Sequence, residues 1–125
     1  MNSISISEAE ATVMQVLWGR SPLSAEEVIA ILIRQQDWQE ATIKTLLNRL
    51  LNKGAVSAEK DGRRFLYSPI LQRDEWIDSE SKGFLDRMFD GKLSPLVAHF
   101  SQGKKLSKQE IAELKRLIEG LGDGK

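Results

Sequence analysis

Gly54 marks a change of period that few folds accommodate. Before it, apolar residues recur at three- and four-residue spacing, as in helices that bury one face. After it, "AVSAEKDGRRFLYSP" carries short β-prone runs on either side of Asp61-Gly62. Asp-Gly predicts a two-residue hairpin of type I′, a turn that needs positive φ at both central positions. Val56 and Phe65 or Tyr67 are placed to face a core, Lys60, Arg63 and Arg64 cluster at the turn, and Pro69 closes the second strand.

The helices before Gly54 have clear starts. Ser7-Glu8-Ala9-Glu10 and Ser24-Ala25-Glu26-Glu27 both read S-x-x-E, and so does Ser107-Lys108-Gln109-Glu110 near the other end. In such a capping box the serine oxygen accepts from the backbone N–H three residues on, and the glutamate reaches back. A first helix runs to about Trp18, burying Val13, Met14 and Leu17, and Gly19 stops it. A second runs from about Ala25 to Gln35. A third, "TIKTLLNRLLNKG", ends on Gly54 as a left-handed cap. Three helices followed by a basic-tipped hairpin is the order of a winged helix-turn-helix. "PLS" at residues 22 to 24 supplies a candidate third strand.

The chain balances 18 basic against 18 acidic residues, but unevenly along its length. Residues 42 to 64 hold six cations and two acids, and residues 42 to 54 hold three cations and no acid. At roughly 100° per residue, Ile43, Leu46, Leu47, Leu50 and Leu51 fall within an arc of about 140°. Thr42, Thr45, Asn48, Arg49 and Asn52 lie in the opposite arc, with Lys44 and Lys53 on its edges. A helix entering the major groove needs such an arrangement: edge cations meet phosphates and central side chains reach base edges. The predicted DNA-contacting set is Thr42, Lys44, Thr45, Asn48, Arg49 and Lys53, with Lys60, Arg63 and Arg64 from the wing. An ordinary solvated face would mix signs to gain i,i+4 pairs. The rival reading is a protein-interaction module whose basic face binds an acidic partner.

Residues 73 to 125 return to helical spacing. Trp76, Phe84, Leu85, Met88 and Phe89 fall roughly on one side of a first helix. Ser94-Pro95 opens a short one containing Leu96, with the serine as cap. Ile111, Leu114, Leu117, Ile118 and Leu121 line the last. These segments are too few to close a core alone, so they are expected to bury against a second copy of the chain. The division is then residues 1–72, a winged-helix domain, and 73–125, a helical dimerisation domain; the fold is mainly α with a small β-hairpin wing.

Other chemistry finds little support. The chain has no cysteine and a single histidine, so thiolate metal sites and disulfides are excluded and no cofactor is expected. Glu26-Glu27 and Asp78/Glu80 lie beside no nucleophile or Gly-rich loop, which argues against an enzyme. Trp18 and Trp76 read as core or interface residues. No apolar run is long enough to span a membrane and the start lacks a secretory signal, so a cytoplasmic protein is expected.

"ISEAEATVMQVLW", "TIKTLLNRLLNKG", "FLYSP" and "FLDRMFDGKLSPLVAHF" resemble, in order, successive blocks of the BlaI/MecI penicillinase-repressor family, from about Ile4 to Leu121. The resemblance implies a homodimeric repressor on a short palindromic double-stranded DNA operator. It also implies a membrane sensor-protease whose signal leads to cleavage within the dimerisation region, at the bond that maps to His99-Phe100. Here His99 stands where that family has an asparagine. Gln39, Glu40 and Ala41 stand where relatives often have a capping serine and a lysine. Copper-responsive members end in a cysteine cluster that this chain lacks. A repressor released by a small ligand is the alternative within the same class.

Overall fold

The structure, a computed structural model, describes residues 4–103 and 106–123. Its elements run α1 (Glu8–Gly19), β1 (Leu23–Ser24), α2 (Ala25–Gln35), α3 (Glu40–Lys53), β2 (Val56–Asp61), β3 (Arg64–Pro69), α4 (Arg73–Phe89), α5 (Leu93–Gly103) and α6 (Lys108–Asp123).

Both N-terminal capping boxes form in full. Ser7 Oγ accepts from the Glu10 amide at 3.1 Å while Glu10 Oε1 accepts from the Ser7 amide at 2.8 Å, and Ser24 and Glu27 repeat the exchange. At α6, Ser107 Oγ accepts from the Glu110 amide. Gly54 takes φ +78° and ends α3 as anticipated. Gly19 is the last residue of α1 rather than its stop; Arg20, in extended backbone, caps it.

The three strands form an antiparallel sheet in the order β1-β3-β2, with Leu23 opposite Tyr67 and Val56 opposite Pro69. The hairpin turn differs from expectation. Asp61 pairs with Arg64, so the two central residues are Gly62 and Arg63. Gly62 has φ +67° and Arg63 an ordinary negative φ, the pattern of a II′ rather than a I′ turn. Moving the turn one residue along places Arg63 at the tip and Arg64 in the strand.

The core lies where α1, α2 and α3 meet the inner face of the sheet. Val13, Met14, Leu17, Leu23, Val28, Leu32, Ile43, Leu47, Leu50 and Val56 are almost wholly buried in it. Leu71 closes it from below, its carbonyl accepting from Trp18 Nε1 at 2.8 Å. Trp76, expected on a dimer surface, is half-buried against this core, its ring 5.4 Å from that of Trp18. The two tryptophans, their rings tilted by 37°, hold the first turn of α4 to the three-helix body. One compact unit therefore ends at Glu80 and the next begins at Ser81, inside α4 rather than at its start.

In the second unit, α5 begins at Leu93, one residue before the expected serine cap, so that Pro95 falls in its first turn. No residue of α5 is buried. Phe84 and Phe89 pack ring on ring at 5.8 Å. Met88, Phe100, Leu117, Ile118 and Leu121 are largely exposed, Leu121 to 71%. Leu93, Leu96, Val97, Phe100, Leu106 and Leu114 line an open apolar groove of about 490 Å³.

Candidate nucleic-acid interface

The division of α3 into two faces follows the helical wheel except at Leu51, which the wheel puts at the edge of the apolar arc and which is exposed. Ile43, Leu46, Leu47 and Leu50 are buried; Thr42, Lys44, Thr45, Asn48, Arg49 and Asn52 are exposed together on the other side. The helix starts two residues before the acid-free stretch, at Glu40, so it does carry one carboxylate. That glutamate holds Lys44 Nζ at 3.2 Å. Gln39 precedes it without a side-chain cap. Thr45 Oγ1 donates to the Ala41 carbonyl one turn back at 3.0 Å.

The predicted cations divide into three groups. Arg49, Lys60 and Arg63 have no carboxylate partner among the described residues. Lys44 and Arg64 are paired with Glu40 and Asp61, but in exposed contacts of 3.2 and 3.5 Å, which contribute little.

Lys53, expected to contact a phosphate, is engaged within the protein. Its ammonium lies 2.6 Å from Glu10 Oε1 and donates to the Ser5 carbonyl at 3.0 Å. Glu10 is only 2% exposed. Burial pushes its carboxyl up, but hydrogen bonds from Lys53 and the Ser7 amide outweigh that and hold it below the ordinary glutamate value. Lys53 thus ties the last turn of α3 to the first turn of α1.

The wing stands beside α3. The amide of Ser24 holds Glu27 below its ordinary value against partial desolvation, helped by the charges of Arg64 and Arg20. Tyr67, read from sequence as a core residue, is only half-buried. With Ala25, Lys44, Leu47 and Asn48 it lines an open depression of about 220 Å³ between β3 and α3. Its two-residue spacing from Phe65 fixed the face but did not show that the face continues beyond the core. Nothing in the sequence could join Glu10 to Lys53, 43 residues away.

Among the described residues no group of His, Asp and Glu is placed to hold a metal ion, and no helix is long and apolar enough to cross a membrane. His99 and Phe100 are exposed near the middle of α5.

A three-helix body, a third helix with a polar exposed face, and an antiparallel wing whose Lys60 and Arg63 have no carboxylate partner among the described residues define a winged helix-turn-helix protein. The sequence profile of the penicillinase repressor family matches residues 6–120. The chain is 40% identical over 114 residues to a penicillinase repressor of Bacillus licheniformis, covering 91% of this chain and 89% of that one. It is 34% identical over 113 residues to the methicillin resistance regulatory protein MecI of Staphylococcus aureus strain N315, covering 90% and 92%. Among solved structures it is similar to the DNA-binding domain of the repressor BlaI and to monomeric Bacillus licheniformis BlaI in complex with the blaP half-operator. Each is 41% identical with a TM-score of 0.54, covering 60% of this chain and 93% of the other. The chain belongs to the penicillinase repressor family.

Proposed function

We propose that this chain is a transcriptional repressor of resistance genes that binds operator DNA as a homodimer through α3 and the wing. The observation that carries the reading is the exposed face of α3, where Thr45, Asn48 and Arg49 stand with no carboxylate among them, beside the unpaired Lys60 and Arg63. Short hydrogen-bonding groups there suit base edges, and the flanking cations suit phosphates. Similarity over this region to a BlaI solved on its half-operator supports the same use of the fold.

The test is anisotropy titration on duplexes from the chain's own upstream region and on random sequence. Arg49→Ala should weaken operator binding by about 1–3 kcal/mol and relax sequence preference. Equal loss on operator and random duplex would remove Arg49 from base reading. Binding that ignores both sequence and salt would favour the protein-interaction module.

Two finer parts belong to the same proposal. The exposed apolar residues of α4, α5 and α6 are the surface at which two copies join, since a lone chain leaves them in water. Release comes from cutting between His99 and Phe100 by a membrane sensor-protease, which detaches α6. Both residues are exposed, yet the bond lies in helical backbone, so α5 must open locally before a protease can extend it in an active site. Fragment masses from induced cells check this: a product ending at His99 is expected, and an intact chain under full induction would favour ligand release.

A further inference from the structure

The inner face of the sheet does not end where the core ends. Residues opposite one another on neighbouring strands share a face, and so do residues two apart. Leu23, Val56 and Tyr67 therefore lie on one face, the one that covers the core. Two residues further along β3, about 6.7 Å towards the tip, the same face carries Phe65, and opposite it on β2 stands Lys60. Phe65 is 50% exposed. Tyr67, the step before it, already lines the depression shared with Lys44 and Asn48 of α3. Phe65 thus continues, on the α3 side of the sheet, a line that runs from the exposed face of α3 to the unpaired Arg63 at the wing tip.

Half-exposed phenylalanine on a small wing has no core function to explain it. Its neighbours narrow the occupant: Lys60 opposite and Arg63 two residues before it are both without carboxylate partners among the described residues, so the surface around the ring suits a polyanion. We propose that Phe65 is a DNA-contacting residue. Its ring packs on the deoxyribose wall of the minor groove next to the major groove that α3 enters, while Lys60 and Arg63 hold the flanking phosphates. This rests on the DNA-binding reading above and adds to it a contact that is apolar. Sugars offer an apolar surface at every step of the duplex, so such a contact strengthens binding without reading sequence.

An apolar contact and an ionic one respond differently to salt, and this gives the test. The full-length chain is titrated, over a series of salt concentrations, against a duplex that the wild type itself selects from a random-sequence library. Phe65→Ala should lose about three- to tenfold in affinity, the effect of uncovering roughly half a phenylalanine side chain, with the salt slope unchanged. Arg63→Ala should lower the slope by about one. Phe65→p-benzoylphenylalanine, which keeps an aromatic ring in place, should crosslink to DNA on irradiation; it decides the question even if the alanine variant folds poorly. Unchanged affinity in Phe65→Ala overturns the proposal. So does a loss that comes with a lower salt slope, or crosslinking only to a second copy of the chain. Wild-type binding to the selected duplex in the same assay separates the outcomes: if the wild type binds and the Phe65 variants bind equally well, this inference alone fails; if the wild type selects no duplex, the DNA-binding reading fails with it.

Discussion

The two compact units use apolar residues in opposite ways. In the first, Met14, Leu17, Leu32 and Leu50 are sealed inside three helices and a sheet. In the second, helices of similar length carry Met88, Leu117 and Leu121 in water, with a groove rather than a core between Leu96 and Leu114. The first unit closes a core of its own and leaves only scattered apolar side chains, Ile33, Phe65 and Ile70 among them, in water. The second is an unfinished core. With the self-association proposed above, such a chain would have two separable stabilities: one fixed by folding alone, the other set by protein concentration.

The strongest way to break that contrast is truncation. A fragment of residues 1–80 keeps Leu71 and the Trp18–Trp76 contact and should fold as a monomer. One ending at Pro69 would lose both and should be unstable. The longer fragment should bind a full operator about 10²–10⁴-fold more weakly than the intact chain, because the second half-site is no longer tethered. Sedimentation and anisotropy measure the two parts, and a monomeric full-length chain at micromolar concentration would end the contrast.

Paired point substitutions sharpen it. Leu17→Ala, in the closed core, should cost about 2–5 kcal/mol of folding stability at any protein concentration. Leu121→Ala should leave the first unit's unfolding unchanged and weaken self-association instead. Denaturant melts at two protein concentrations tell them apart; a concentration-independent loss for Leu121→Ala would show that α6 is stabilised within one chain.

A smaller effect is expected at Lys53. Removing its ammonium strands the buried Glu10 carboxylate, at about 1.5–3 kcal/mol, the range for hydrogen bonds to charged groups. Water reaching Lys53, which is 40% exposed, favours the lower end. Lys53→Ala should therefore lower the melting temperature without changing the salt slope of DNA binding, the reverse of what a phosphate contact would do. Because folding depresses the Glu10 pKa, the pair stabilises the fold above the unfolded-state value. That stability is lost as pH falls through the folded-state value, below the ordinary glutamate range. Lys53→Ala should flatten this acid limb of the stability curve.

The sequence was most legible where the information was local. Two serine-glutamate boxes, a left-handed Gly54 and the four- and three-residue spacing of Ile43, Leu47 and Leu50 each act within one turn of chain, and α1, α2 and α3 form around those signals. What it missed needed knowledge of distant partners. A helical wheel gives the angle of Lys53 but not that α1 presents Glu10 along it. Periodicity gave Trp76 an apolar stripe but not the ring of Trp18 already waiting there. The hairpin moved by one residue because pairing along the whole of β2 and β3 fixes the register, and Asp61-Gly62 had to give way to it.

The hydrogen bond from Thr45 to the Ala41 carbonyl bears on what α3 could offer a base in the proposed complex. Its only hydroxyl proton is committed to the backbone, so towards the groove Thr45 offers lone pairs and a methyl group. In the proposed complex it can accept from the amino group of adenine or cytosine, or lie against the methyl of thymine. Guanine presents only acceptors on that edge and finds no donor there. While the hydroxyl keeps this backbone partner, the bases it favours in the proposed complex are set inside the helix, before any DNA arrives.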